Sequence, residues 1–244
     1  MYILEGEGVT KYFGGLAAVD DVDFHVDQGE VVGLIGPNGA GKTTLFNLIS
    51  ATYSPKPGII RFKDINITRK KPYQICRMGI ARTFQMVKIF GNLSVIENVR
   101  IGAFFGGSTT VSSANATKES LELLEYVGLS EVANTPARDL TLANQKRLEV
   151  ARALATKPEL LLLDELMAGL NQTEVAEAMQ SVKKIRDKGI TIVMIEHVMK
   201  AIMNVCDRII VLHHGQKIAE GTPQEIANSK TVVEVYLGEE YVAG

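Results

Sequence analysis

Apolar positions along this chain fall into short runs of two kinds. Val22, Phe24 and Val26 alternate with Asp21, Asp23, His25 and Asp27, the period-two pattern of a strand with one buried face. By contrast, Glu30-Val31-Val32-Gly33-Leu34-Ile35 is a continuous apolar run ending in a glycine-rich turn, which predicts a parallel strand buried on both faces. Ile59 to Phe62 and Ile65 to Ile67 predict two more short strands. From about Met86 to Thr156 the period lengthens. Leu121, Leu124, Val127 and Leu129 suit one amphipathic helix, and Leu148, Val150, Ala151 and Leu154 suit another. The small residues of Gly106-Gly107-Ser108-Thr109-Thr110 and of Ser112 to Thr117 predict a surface loop. Strand signals return at Leu160 to Leu163, at Ile190 to Ile195, and in a hairpin-like pair, Arg208 to Leu212 with Lys217 to Ala219. This order predicts an α/β core with antiparallel strands near the N-terminus and a helical insert.

Composition narrows the function classes. The chain has 244 residues, enough for one large domain or two small ones. Lys and Arg total 26 against 28 Asp and Glu, a net charge of −2, which argues against coating nucleic acid through bulk positive charge. The same balance gives no basis for attraction to anionic lipid. Cys76 and Cys206 come without further metal-type ligands and suit packing roles in a reducing compartment. Glu5 and Glu7 stand where a signal peptide needs a basic start and an apolar run. The uncharged stretch from Ile101 to Thr117 is too polar in its second half to span a bilayer. An intracellular protein is expected, with any membrane role running through a partner.

Gly36-Pro37-Asn38-Gly39-Ala40-Gly41-Lys42-Thr43 matches the Walker A pattern G-x-x-x-x-G-K-[ST] at every fixed position. Glycines let successive backbone N–H groups turn inward on phosphate oxygens, and the nest closes on a helix N-terminus. Lys42 supplies a mobile charge for the β- and γ-phosphates, and Thr43 offers a hydroxyl to Mg²⁺. The loop follows a buried strand and precedes the helical run Thr44-Leu45-Phe46-Asn47-Leu48-Ile49, the context the motif requires.

A Mg²⁺-nucleoside triphosphate site also needs carboxylates at the end of a neighbouring strand. Leu160-Leu161-Leu162-Leu163-Asp164-Glu165 supplies them at the strand's C-terminal end. Asp164 is placed to hold Mg²⁺ and Glu165 to polarise the attacking water as general base. No Asn-Lys-x-Asp guanine-reading sequence occurs, which counts against a GTPase.

Three further segments surround these motifs: Gly79-Ile80-Ala81-Arg82-Thr83-Phe84-Gln85, Leu140 to Arg152, and Ile195-Glu196-His197. In this order the set resembles the nucleotide-binding subunit of ATP-binding cassette (ABC) transporters over nearly the whole chain. The resemblance implies one P-loop NTPase unit over residues 1–244, with an α/β core at 1–85 and 156–237 and a helical subdomain at 86–155. It implies that Gln85 reaches Mg²⁺ and the attacking water and leads into the insert that touches a permease. It implies that His197 donates to the γ-phosphate, and that Ala168-Gly169-Leu170-Asn171 is the D-loop of a dimer interface. Phe13 or its neighbour Tyr12 would stack on adenine, a contact that uses only the π-face. ATP and Mg²⁺ are the implied cofactors. The implied partners are a second ATPase subunit and membrane permease subunits, at the cytoplasmic face of the inner membrane. Lys11 to Val19, Ala81 to Gln85, Ala168 to Asn171 and the ending Glu234-Val235-Tyr236-Leu237-Gly238-Glu239 are similar to the ATPases of bacterial branched-chain amino-acid uptake systems. Lipopolysaccharide-export ATPases share the general plan and form the nearest alternative.

The chain departs from the family in two places. Where the family signature reads Leu-Ser-Gly-Gly-Gln, this chain has Leu140-Thr141-Leu142-Ala143-Asn144. The Cβ of Ala143 is expected to restrict positive φ and to push a methyl toward a partner's γ-phosphate. Poor donor geometry there would cost about 1–4 kcal/mol of transition-state stabilisation. That expectation raises a low-turnover, nucleotide-gated subunit of a heterodimer as an alternative function. Leu166 stands where proline usually follows the catalytic glutamate, which is expected to loosen the turn.

Overall fold

The computed structural model describes residues 2–106 and 112–235. It opens on two long strands, β1 (Tyr2–Phe13) and β2 (Leu16–Asp27), followed by β3 (Val31–Ile35) and α1 (Lys42–Ile49). Next come β4 (Ile59–Phe62), β5 (Ile65–Asn66), α2 (Pro72–Met78) and β6 (Ile80–Arg82). Three longer helices follow: α3 (Val95–Phe105), α4 (Ser113–Tyr126) and α5 (Leu142–Leu154). The chain then runs through β7 (Leu160–Asp164), α6 (Gln172–Asp187), β8 (Thr191–Ile195) and α7 (Met199–Val205). It continues in β9 (Arg208–His213), β10 (Gln216–Gly221) and α8 (Pro223–Ala227).

The strands form two sheets. An antiparallel sheet has the order β2-β1-β4-β5, and a mostly parallel one has the order β10-β9-β3-β8-β7-β6. In the second sheet β3 lies parallel to both β8 and β9, and β7 lies parallel to both β6 and β8. Every residue of β3, β7 and β8 is buried, which is why those strands read as unbroken apolar runs. β10 alone closes this sheet antiparallel, through the hairpin with β9.

Alternate residues of the parallel strands feed two cores. Val32, Leu34, Leu160, Leu162 and Val193 point into a layer shared with β1, β2 and the apolar face of α1. Val31, Ile35, Leu161, Leu163 and Met194 point the other way, onto α5, α6 and α7. A third cluster is built from Val95, Val99 and Ala103 of α3, Ala116 and Leu124 of α4, and Leu148 and Ala151 of α5. The parallel sheet therefore presents the C-terminal ends of β3, β7 and β8 along one edge, where the motif residues emerge.

Two local expectations change. Ser112 to Thr117 is no loop: Ser112 caps α4 by accepting the Asn115 N–H, so the small residues form its first turn. In the same helix Leu124 is buried, but Leu121 faces solvent and Leu129 is buried beyond the helix end. The rest of the small-residue stretch, 107–111, and the closing segment, 236–244, lie outside the described residues.

Candidate nucleotide site

β3 ends at Ile35 and the chain turns through Gly36–Gly41 into α1. A Cβ on Gly36 would lie 2.1 Å from the Leu212 carbonyl oxygen, and one on Gly41 2.3 Å from that of Ala18. Both residues also have positive φ, 148° and 102°, so only glycine fits a loop wedged between β9 and β2. The Gly215 N–H donates to the Ala40 carbonyl from the β9–β10 turn and holds the loop from behind. Lys42 Nζ donates to the carbonyls of Gly36 (2.6 Å) and Pro37 (2.8 Å), inside the loop's own curve. Asn38, Gly39 and Thr43 are exposed along the rim, and Pro37, Ala40 and Thr44 are not. Gly41, the N-cap of α1, has no side chain to cap the helix, so the N–H groups of its first turn suit a phosphate.

The end of β1 supplies the aromatic candidates. Phe13 packs edge-on against Tyr53, with ring centroids 5.3 Å apart, and Lys11 Nζ lies 5.4 Å from both rings. Tyr12 is exposed as well and, as the next residue in a strand, points to the other face.

Asp164, the last residue of β7, is almost fully buried. Arg82 at the end of the adjacent β6 donates to its Oδ2 at 2.7 Å, and the Thr83 hydroxyl accepts its backbone N–H at 3.1 Å. Oδ1 is buried with no hydrogen-bond partner. Burial pushes the Asp164 carboxyl above its ordinary range, and the Arg82 guanidinium pulls it back. An orphaned, buried carboxylate oxygen is costly unless it meets a cation. Asp164, the Thr43 hydroxyl and the Gln85 amide all offer oxygen donors, the kind Mg²⁺ takes.

Glu165 follows with φ 51°, in the left-handed region. Its N–H donates to the Ile195 carbonyl (2.9 Å), which sets it beside the end of β8. There its carboxylate receives two side chains. Gln85 Nε2 donates to Oε2 at 3.0 Å, and His197 Nε2 lies 3.0 Å from Oε1. Two residues from separate segments, Gln85 and His197, thus converge on the Glu165 carboxylate.

The segment after Glu165 is not loose, contrary to the expectation from Leu166. Lys146 Nζ of α5 donates to the carbonyls of Glu165 (2.8 Å) and Ala168 (2.7 Å). The Met167 N–H donates to Glu196 Oε1 at 2.8 Å, and Leu166 itself is buried in the core. Asn171 caps α6, accepting the N–H groups of Thr173 and Glu174, with Glu174 completing the capping box.

Ala143 also departs from expectation. It occupies the first turn of α5 with no positive φ, and its side chain is buried within this chain rather than presented outward. An alanine in a helix costs nothing in backbone strain. Thr141 caps that helix, accepting the Asn144 N–H, while Leu142 is exposed beside it.

Arg82, Lys146 and Glu196 are charged residues to which sequence reasoning assigned no role. All three lie inside quoted motif segments, but nothing in a residue's type announces that its charge is buried.

Residues 19–168 match the family model described as "ABC transporter". The chain belongs to the ABC transporter family. Residues 216–242 also match a model described as "Branched-chain amino acid ATP-binding cassette transporter". The chain is 42% identical to the high-affinity branched-chain amino acid transport ATP-binding protein LivG of Escherichia coli (strain K12), over 97% of this chain and 98% of that one. Among solved structures it resembles the ADP conformation of an ATP-binding cassette of an ABC transporter, with TM-score 0.87, 32% identity, and 98% and 99% of the two chains covered. It also resembles a dimeric post-hydrolysis ATP-binding cassette bound to ADP and phosphate, with TM-score 0.82, 28% identity, and 90% and 98% covered. As an ABC cassette the chain is an ATPase coupled to transport through permease subunits. None of its described helices is long and apolar enough to cross a membrane.

Proposed function

We propose that this cassette powers import of branched-chain amino acids, hydrolysing ATP at the site where Gln85 and His197 meet on Glu165. That convergence, beside the orphaned Asp164 oxygen, is the observation that carries the reading. The loop N–H groups from Asn38 to Thr44, with the Lys42 side chain, grip the phosphates between Gly36, Pro37 and α1, and Phe13 stacks on adenine. Thr43, Asp164 and Gln85 would hold Mg²⁺, which when bound neutralises phosphate charge. Glu165 accepts the proton of the attacking water, with His197 and Gln85 fixing its two oxygens. Thr141 to Asn144, at the start of α5, face the nucleotide of a second cassette, and Asn171 lies in the segment that crosses between them.

Residues 1–244 act as one unit in which 86–155 moves relative to the sheet, at the cytoplasmic face of the inner membrane. The permease docks in a groove of about 730 Å³ between the sheet and the helical insert, lined by Pro72, Cys76, Phe84, Phe90 and Phe105. Of the apolar run after Gln85, Met86 and Phe90 are exposed, Phe90 in this groove, while Val87, Ile89 and Leu93 are half-buried.

The test is reconstitution with its permease and second cassette in proteoliposomes. ATP-dependent uptake of labelled leucine, abolished by Glu165→Gln, is expected. ATPase activity with no amino-acid uptake would overturn the substrate assignment, and outward movement of a lipid substrate would favour the export alternative.

A further inference from the structure

The turn from Glu165 to Ala168 carries the candidate base and closes on one long bond of its own, from the Ala168 N–H to the Glu165 carbonyl at 3.3 Å. Glu165 is a non-glycine residue at positive φ, and Leu166 has no ring to restrict the backbone. Four of its backbone groups are also held from outside. The Glu165 N–H goes to the Ile195 carbonyl and the Met167 N–H to the Glu196 carboxylate. The Glu165 and Ala168 carbonyls both go to one atom, Lys146 Nζ.

Lys146 comes from a different part of the molecule. It sits in the second turn of α5, five positions after the Thr141 cap. α5 packs Leu148 and Ala151 into the helical cluster and Val150, Ala153 and Leu154 onto the sheet. Only 5% of Lys146 is exposed. A buried ammonium is costly and is retained where its donors are all directed at fixed acceptors. Its two bonds close on carbonyls three residues apart, so they bear on the path of the turn and not merely on one contact.

We propose that Lys146 is a positioning residue for hydrolysis: through the carbonyls of Glu165 and Ala168 it sets the backbone that presents the Glu165 carboxylate to Gln85 and His197, and ties it to the start of α5. A shift of α5 is thereby passed directly to the catalytic carboxylate and to the Ala168–Asn171 segment. The inference rests on the reading of Glu165 as the base.

The experiment measures kcat, KM for ATP and the Kd of a non-hydrolysable ATP analogue in the assembled transporter. Lys146→Met removes both bonds and keeps the stem's bulk, and Lys146→Arg keeps a donor pair. For Lys146→Met, kcat is expected to fall at least tenfold while KM and Kd stay within twofold, since the phosphate loop is untouched. Lys146→Arg should recover a third or more of the wild-type kcat. If Lys146→Met does not assemble, Lys146→Gln, which loses the charge and the reach to both carbonyls, takes its place with the same expectation. A kcat within twofold of wild type overturns the proposal. So does a joint loss of kcat and nucleotide affinity with no rescue by arginine, the pattern of general destabilisation. Glu165→Gln run in parallel separates the two readings: if it hydrolyses ATP like wild type, the assignment of the base fails and the role of Lys146 falls with it. If only the Lys146 variants are silent, the base stands alone.

Discussion

His197 Nε2 lies 3.0 Å from Glu165 Oε1, and the two residues follow the ends of neighbouring parallel strands, β8 and β7. The pairing at the main chain, Glu165 N–H to the Ile195 carbonyl, puts them in register before any side chain chooses a rotamer. With Gln85 on the other oxygen, both carboxylate oxygens have a side-chain partner.

A general base so placed contributes roughly 10²–10⁴ in rate. Glu165→Gln keeps the hydrogen-bonding shape but cannot take a proton. ATPase turnover should fall by that factor while ATP binding persists, and an ATP-bound dimer should accumulate on size-exclusion chromatography. Turnover within threefold of wild type would sink this assignment.

The Arg82–Asp164 pair makes a different prediction, because both side chains are buried, at 8% and 1% exposure. Arg82 also bonds Asn47 Oδ1 and the Ser50 hydroxyl of the α1 end, so it joins the phosphate-loop helix to β7. Arg82→Ala leaves a carboxylate buried without its partner, a loss of about 3–5 kcal/mol. At roughly 2–4 °C per kcal/mol for a chain of this size, Tm should drop by about 10 °C. Arg82→Lys, which keeps the charge, should drop it less. A Tm for Arg82→Ala within 2 °C of wild type would show that the pair does not hold the sheet to α1.

What was legible in the sequence follows from what each element buries. β3, β7 and β8 are apolar on both faces and end in residues with chemistry, so runs and motifs coincide. β1 has no clean period because its pairing with β2 is broken by register shifts between Tyr2 and Leu4 and between Gly6 and Val9. α6 buries only Val182 and Ile185 across its length, too sparse a stripe to announce a helix. Glu165, His197 and Gln85 could be placed because family motifs single them out. Arg82, Lys146 and Glu196 could not, since a lone charge reads as surface until the fold encloses it.

Ala143 bears on whether this cassette is slow. It is helical and its methyl is buried, so Ala143→Gly relieves no strain and removes packing. Stability should fall by up to about 1 kcal/mol, measured by denaturant unfolding. ATPase activity of the assembled complex should stay within twofold. A tenfold rise would restore the reading of a handicapped signature and with it the low-turnover heterodimer.

Glu196 gives the chain a pH signature. Burial pushes its carboxyl from 4.5 up to about 7, against the pull of the Met167 N–H and the Lys146 charge. Between those values the native state holds a proton that the unfolded chain has released. Glu196 therefore stabilises the fold at low pH, and that contribution is lost as pH rises toward the native pKa and beyond. The span corresponds to about 3 kcal/mol at 1.36 kcal/mol per pH unit. Glu196→Gln keeps an oxygen for the Met167 N–H and cannot ionise. Its unfolding free energy relative to wild type should rise by about 2–3 kcal/mol between pH 5 and pH 8. The subtraction matters, because burial also raises the Glu149 and Asp164 carboxyls and bends the wild-type curve. Parallel curves for variant and wild type across that window would mean that Glu196 is ionised throughout, its charge already met by Lys146.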